Sequence, residues 1–122
     1  MDWLSKNERS KLLDVDEGRC WLQSEAIEFA KKLEFIAQIH DHHIALTGGC
    51  LYKKNLRKDC DIIIYSCRQG SLNHHKVIAA FAVEFNLELF SHSDWLTKAT
   101  MPDGKNIDFL CPEAIRTDAD HY

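Results

Sequence analysis

Apolar and polar positions recur along the chain at the spacings of helices and strands. Between Ser24 and Ile39, apolar side chains return every three or four residues, which is the spacing of one face of an α-helix. Ser24 is expected to be the N-cap, because its hydroxyl can accept a backbone hydrogen bond. A second apolar stripe at helical spacing runs from Asn73 to Asn86. Both patterns predict helices that bury one face against a sheet.

Five short segments have the apolar content or the alternation that strands require. Gly48-Gly49 and the sequence Pro102-Asp103-Gly104-Lys105 are turn signals between them. The predicted strands are residues 44–46, 59–66, 87–90, 95–101 and 106–111. The order of these elements predicts the α/β (α+β) class, with a mixed sheet of four to five strands and helices packed on one face.

Length and composition allow one domain of modest size. The chain has 122 residues, of which 45% are hydrophobic and 28% are charged, as in ordinary globular domains. We expect a single domain over residues 1–122, with an N-terminal helical extension (1–23), a core (24–111) and a tail (112–122). No signal peptide and no apolar run of transmembrane length is visible, so no membrane partner is expected.

Cysteine content indicates the redox compartment of the protein, and net charge limits the kinds of partner it can bind. Five cysteines are an odd number without a Cys-x-x-Cys pair, which favours a reducing, cytoplasmic setting over a disulfide framework. The formal net charge of −4 argues against a surface that coats nucleic acid. Basic residues are concentrated between Lys53 and Lys58. This local cluster suits a triphosphate, and a solvated helix face is the alternative.

Asp59 and Asp61 begin the second predicted strand and form the first half of a candidate site. Because strand side chains alternate between faces, both carboxylates project from one face, while Cys60 and Ile62 lie on the other. Two adjacent carboxylates repel each other unless a cation lies between them. Oxygen ligands of this kind suit Mg²⁺ or Mn²⁺, which bind through one or two carboxylates and substrate phosphates.

Gly48 and Gly49 form the second half of this candidate site. Glycine allows positive φ and a close approach of the backbone to a ligand, so the N–H groups of such a turn can hold phosphate oxygens. Basic residues between the glycines and the acids would meet an anionic phosphate there. The candidate nucleotide-binding residues are Gly48, Gly49, Lys53, Arg57 and Lys58. A purely structural turn followed by a solvated acidic strand end is the alternative.

Asp108 in the last predicted strand is a third candidate acid. Ile107 and Phe109 share one face of that strand, and Asp108 lies on the other. An acid between apolar neighbours is costly to bury unless it is paired or bound to a metal. Asp108 is therefore a candidate metal ligand together with Asp59 and Asp61. The alternative is an acid at a strand edge that faces water.

These motifs, in this order, resemble the signature of the nucleotidyltransferase superfamily related to DNA polymerase β. That signature is an apolar residue, Gly-Gly or Gly-Ser, a spacer of roughly ten residues, and two aspartates separated by one residue and flanked by apolar ones. Here the spacer runs from Cys50 to Lys58. The resemblance covers the chain from about Ser24 to Cys111. It implies the minimal nucleotidyltransferase fold.

The resemblance also implies a reaction. A Mg²⁺- or Mn²⁺-dependent enzyme of this kind moves a nucleoside monophosphate from an NTP to a hydroxyl acceptor, such as a protein, an RNA end or a small molecule, and releases pyrophosphate. Asp59, Asp61 and Asp108 would be the catalytic acids and metal ligands, and Asp108 would help to take the acceptor proton. Gly48 and Gly49 would hold the terminal phosphates with help from the basic residues.

Two functions remain open at the level of sequence. One is an active nucleotidyltransferase, which the set of three acids favours. The other is a catalytically silent nucleotide-binding or regulatory module, for example one half of a toxin–antitoxin-like pair. Residues 112–122 are too few for the acceptor-binding domain of larger family members, so the N-terminal segment, a second copy or a partner protein is expected to supply that surface. Leu51-Tyr52-Lys53 stands where tRNA nucleotidyltransferases have Val-Arg-Asp. The resemblance therefore predicts the type of reaction, but it does not predict which nucleotide or which acceptor is used.

Overall fold

A computed structural model describes residues 19–52, 56–67 and 71–114 of the chain. Several predictions fall outside that part. They are the helix expected in the N-terminal extension before residue 19, the nucleotide-binding role of Lys53, and the tail after residue 114. The domain boundaries therefore stay predictions.

Helices and strands follow one another in the predicted order. Their bounds are α1 (Gln23–Ile39), β1 (His42–Thr47), α2 (Gly49–Tyr52), β2 (Asp59–Ser66), α3 (His74–Phe85), β3 (Glu88–His92), β4 (Leu96–Thr100) and β5 (Asn106–Leu110). Each element predicted within the described residues is present, and most bounds differ by one or two residues, as is usual for element ends. Within the described residues, no helix is long and apolar enough to cross a membrane.

Helix α1 begins earlier than predicted, because a glutamate binds its first backbone donor. The N-cap position is Leu22, whose N–H donates to Glu25 Oε1 at 2.9 Å. A glutamate at the third helical position can reach back in this way. The prediction that Ser24 caps the helix is therefore wrong, whereas its apolar face is confirmed. The buried residues of that face are Ala26, Phe29, Ala30, Leu33 and Ala37.

The five strands form one mixed sheet in the order β1-β2-β5-β4-β3. β2 and β5 pair in parallel, and every other neighbouring pair is antiparallel. Helices α1 and α3 pack on one face, here called the closed face, which carries buried side chains such as Ile62 and Phe109. The opposite face, here called the open face, carries Asp61 and Asp108, which remain partly accessible. The predicted fold class is confirmed.

Aromatic side chains join the helices to the strands on the closed face. Phe81 of α3 stacks on Phe109 of β5, with ring centroids 5.5 Å apart. Trp21, which precedes α1, lies 5.3 Å from the ring of Phe29. Its indole Nε1 donates to the Asn106 carbonyl oxygen at 2.7 Å, which satisfies the polar end of a buried ring. The core therefore fixes the start of α1 against the start of β5.

Phe81→Ala is expected to lower the free energy of unfolding by about 3–5 kcal/mol, because it leaves a cavity beneath the Phe109 ring. The measurement is equilibrium unfolding in urea. Val83→Ala is the matched control, since Val83 lies on the same helix and is 85% exposed. The control should change the free energy of unfolding by less than about 0.5 kcal/mol. Equal losses in the two variants would contradict the placement of the core.

Candidate active site

The parallel pairing of β2 and β5 places two predicted acids side by side. Asp61 is in register with Asp108, and Asp59 lies two positions before Asp61 on the same open face. On the outer sides, Thr47 of β1 is in register with Asp61, and Lys98 of β4 is in register with Asp108. A polar row therefore crosses four strands in the order Thr47, Asp61, Asp108, Lys98.

The acids of this row influence each other's protonation. Burial raises the pKa of Asp61 above its usual value, and the charges of Asp108 and Asp59 raise it further. Burial also raises the pKa of Asp108, which Lys98 opposes and Asp59 reinforces. Lys98 Nζ lies 3.7 Å from Asp108 Oδ1. The row thus gathers negative charge that one lysine compensates in part.

The donor chemistry of the three acids fits a divalent cation. Asp59, Asp61 and Asp108 offer carboxylate oxygens, which are the ligands that Mg²⁺ and Mn²⁺ prefer. Burial is the largest cause that raises the pKa of Asp61 and of Asp108, so a bound cation would offset the cost of keeping these carboxylates ionised. Within residues 19–52, 56–67 and 71–114, no three His, Cys, Asp or Glu side chains are arranged as they would be around a bound metal ion. The metal-binding role of the three aspartates stays a prediction.

Gly48 brings the turn after β1 directly against Asp61. Its φ is +69°, in the left-handed region that favours glycine. A Cβ at this position would overlap the Asp61 carboxylate, at Oδ2. Gly49 differs, because it is the first residue of α2 and its φ is not positive. The positive φ expected of the glycine turn therefore belongs to Gly48, and it allows the turn to approach the acids.

Arg57 lies against the other glycine of the turn. A Cβ at Gly49 would come within 2.7 Å of Arg57 Nε. That Nε is buried and has no hydrogen-bond partner among the described residues. The backbone of Arg57 is held by Trp21, which donates its N–H to the Arg57 oxygen at 2.6 Å and accepts the Arg57 N–H at 3.0 Å. A buried donor without an acceptor is costly, so this guanidinium is suited to an oxygen ligand.

The other predicted basic residues are less closely tied to the turn. Lys58 is exposed and directly precedes Asp59. Lys53 lies outside the described residues. Among the described residues, Arg57 is the predicted basic residue whose side chain lies against the glycine turn, at Gly49. Nucleotide binding by any of these residues stays a prediction.

Two buried thiols connect α2 to the acidic strand from the closed side. Cys50 directly follows Gly49, and its Sγ donates to the backbone oxygen of Asp59 at 3.3 Å. Cys60, between the two acids in sequence, is fully buried. A hydrogen bond with Cys50, together with burial, raises the pKa of the Cys60 thiol and keeps it protonated. These contacts fix the glycine turn relative to Asp59 and Asp61.

Sequence reasoning missed Lys98 and Thr47, which complete the polar row. The signal that could have found Lys98 was the predicted hairpin of β4 and β5, provided that its loop has five residues centred on Asp103, because equal steps from Asp103 then lead to Lys98 and Asp108. Thr47 follows the predicted first strand and directly precedes the glycine pair. Its position opposite Asp61 became visible only with the register of β1 and β2.

Comparison with solved structures identifies this arrangement of helices and strands. Polymerase β of Leishmania infantum in a ternary P/T complex has a TM-score of 0.58 at 12% identity, covering 91% of this chain and 50% of that chain. The ternary gap complex of the same polymerase has a TM-score of 0.59 at 12% identity, with 91% and 44% covered. A cytoplasmic RNA terminal U-transferase has a TM-score of 0.56 at 13% identity, with 88% and 35% covered.

The chain therefore has the nucleotidyltransferase fold that the sequence motifs predict. It spans half or less of the length of these three solved chains. No protein-family model matches the sequence, and no curated protein matches it. At 12–13% identity the likeness defines the fold, and the residues of the polar row have to carry any further argument.

Metal-free Asp61→Asn is expected to be more stable than the parent at pH 7. Since the folded-state pKa of Asp61 lies above its unfolded value, the folded state binds the proton more tightly. The parent therefore loses stability as pH rises from the unfolded pKa through the folded pKa. Asparagine does not titrate, so we expect a gain of up to about 1 kcal/mol after allowance for solvent screening. Urea unfolding in the presence of EDTA measures it, and the gain should vanish at pH 3.

Asp103→Asn is the control of opposite sign. Burial raises the pKa of Asp103, but hydrogen bonds from Lys105 outweigh burial and hold the pKa below its usual value. Its contribution is present above the unfolded pKa and is lost as pH falls, so this substitution should cost stability at pH 7. A loss of stability in Asp61→Asn at pH 7, like that of the control, would contradict the repulsion between the acids.

Proposed function

We propose that the protein is a nucleotidyltransferase that moves a nucleoside monophosphate from an NTP to a hydroxyl acceptor. The observation that carries the proposal is the Asp61–Asp108 pair on the open face, with Gly48 against Asp61. The likeness in fold to a polymerase and to a terminal U-transferase supports the same kind of reaction. These observations indicate neither which nucleotide nor which acceptor is used.

Asp59, Asp61 and Asp108 would hold Mg²⁺ or Mn²⁺ in this proposal. The bound cation supplies charge neutralisation for the triphosphate and a lowered pKa for the acceptor hydroxyl. Asp108 lies on the far side of Asp61 from Thr47 and the glycine turn. It is therefore the acid best placed to accept the proton of the hydroxyl.

The glycine turn and Arg57 would bind the phosphates. Gly48 brings the backbone close to Asp61, and no side chain at Gly49 blocks access to the Arg57 guanidinium. Phosphate oxygens would satisfy the unpartnered Arg57 Nε through charge-assisted hydrogen bonds. Lys58 and Lys53 add positive charge along the same segment. The triphosphate would thus lie at the β1 end of the polar row.

The proposed transfer forms one bond to phosphorus and breaks another. The acceptor oxygen forms a bond to the α-phosphorus, and the bond from that phosphorus to the bridging oxygen of the β-phosphate breaks. The acceptor proton passes to Asp108 and from there to solvent. Pyrophosphate leaves with the negative charge, which Arg57 and the turn stabilise.

A reducing compartment and a second protein surface belong to the same proposal. Cys50, Cys60, Cys67 and Cys111 are free thiols, which suits the cytoplasm. A second copy of the chain or a partner protein would contribute to acceptor binding.

Purified protein is expected to transfer α-labelled nucleotide to an acceptor in cell extract and to release pyrophosphate, in the presence of Mg²⁺. Asp61→Asn and Asp108→Asn should each lower the rate by at least about a hundredfold, because each removes a charge that acts in the transition state. Asp94→Asn is the matched control, since Asp94 lies in the β3–β4 turn with a side chain that is 77% exposed. Triphosphate binding without any pyrophosphate release would instead identify the catalytically silent module.

Arg57→Met is expected to weaken binding of a non-hydrolysable triphosphate about tenfold to a hundredfold, because it removes a charge-assisted contact worth about 1.5–3 kcal/mol. Methionine retains an apolar stem against Gly49. Lys76→Met is the control, because Lys76 is exposed in the first turn of α3, at the other end of the sheet. Titration with Mg²⁺ present measures the affinity, and thermal unfolding verifies the fold. Undiminished affinity in a folded Arg57→Met protein would show that the phosphates bind elsewhere.

A further inference from the structure

Lys98 is the charged member of the polar row to which the proposed reaction gives no role. It lies on β4, in register with Asp108, and its Nζ is 3.7 Å from Asp108 Oδ1. The Lys98 side chain is 41% exposed and that of Asp108 is 19% exposed. The ammonium therefore reaches the less accessible carboxylate from the more open side of the row.

The ion pair has the features of one that a stronger cation can replace. A separation of 3.7 Å exceeds the range of a direct hydrogen bond between nitrogen and oxygen. An ion pair that solvent reaches contributes little to stability. The lysine ammonium is a compact charge on a flexible stem, so it can leave the carboxylate without disturbing the strand. A divalent cation carries twice its charge and would compete for the same oxygens.

The other charged groups near Lys98 leave Asp108 as its counter-ion. Across β4 from Asp108, the residue in register with Lys98 is Ser91, which is uncharged. Glu88 is in register with Thr100, one position further along the open face, and is exposed. Among the described residues, Lys98 forms its ion pair with Asp108, and its charge also opposes the rise in the pKa of Asp61.

We propose that Lys98 is a positioning residue that acts as an internal counter-ion, neutralising Asp108 in the metal-free protein and competing with the divalent cation for that carboxylate. The inference rests on the proposed function in taking Asp108 as a ligand of the cation. In the metal-free protein, Lys98 limits the repulsion between Asp108 and Asp61. It thereby raises the metal concentration at which the site fills.

The test is a titration of the metal-free, nucleotide-free protein with Mn²⁺, followed by the electron paramagnetic resonance signal of the unbound ion. Lys98→Met should bind Mn²⁺ about three- to fivefold more tightly than the parent, because the cation no longer displaces an ammonium. Lys98→Arg keeps the charge and should differ from the parent by less than about twofold. Lys76→Met removes the same charge at the other end of the sheet, and it controls for net charge.

A double-mutant cycle shows whether the effect passes through Asp108. In an Asp108→Asn background, Lys98→Met should raise Mn²⁺ affinity by less than about twofold, because the carboxylate for which the two cations compete is gone and only the weaker effect of the Lys98 charge on Asp61 remains. Thermal unfolding of every variant verifies that each is folded.

Three results would overturn the proposal. They are Mn²⁺ affinity in Lys98→Met that equals that of Lys76→Met, affinity in Lys98→Met below that of the parent, and no Mn²⁺ binding in parent or variants. Tighter Mn²⁺ binding in Lys98→Met supports the counter-ion role even if no nucleotide transfer is found. In that case the proposed function fails and the counter-ion role stands, so the two outcomes can be told apart.

Discussion

The parallel pairing of β2 with β5 is the constraint on which both the fold and the candidate site depend. Parallel strands need a crossover connection, and α3, β3 and β4 lie between these two strands in sequence. The same register that sets Asp61 beside Asp108 sets Cys60 beside Ile107. One pairing therefore builds the acidic row on the open face and the core on the closed face. A slip of one residue would turn one acid into the core, so the acids and the core specify the same register.

Crowding of acids works against the stability that the core provides. Burial and neighbouring carboxylates raise the pKa of Asp61, and burial raises that of Asp108 although Lys98 opposes it. Arg57 adds a second local cost, because its buried Nε has no partner among the described residues. Local violations of this kind concentrate at functional sites, where a ligand supplies what the free protein lacks. Asp61 lies against Gly48 and Arg57 lies against Gly49, so on the proposed function a triphosphate with its cation would offset both costs.

Local sequence pattern was sufficient for most elements, and it failed where the choice of a helix cap or the length of a loop decides. Alternation along β2 and β5 assigned Asp59, Asp61 and Asp108 to faces correctly, because each assignment needs only one strand. The backbone N–H at the start of α1, that of Leu22, donates to Glu25 and not to Ser24. Helix propensity does not decide which of these two neighbouring side chains accepts that hydrogen bond. Lys98 was missed because its face depends on loop length. Five residues separate the paired Thr100 and Asn106, whereas the turn motif suggests four, and one residue reverses the face.

The order of the polar row gives the two substrates of the proposed reaction opposite ends of the site. Gly48 and Arg57 are fixed by contacts to Asp61, to Gly49 and to the Trp21 backbone, so the phosphate end is built from segments that the core holds. The other end consists of β4 and β3, and all five residues of β3 are exposed. An end that is held rigidly suits a ligand common to many reactions, such as a triphosphate. An exposed edge strand suits recognition that a second surface completes, because its backbone groups and side chains are accessible to another chain. On the proposed function, nucleotide binding would therefore depend on segments that this chain's own core holds in place. The choice of acceptor would depend on the second protein surface that contacts β3.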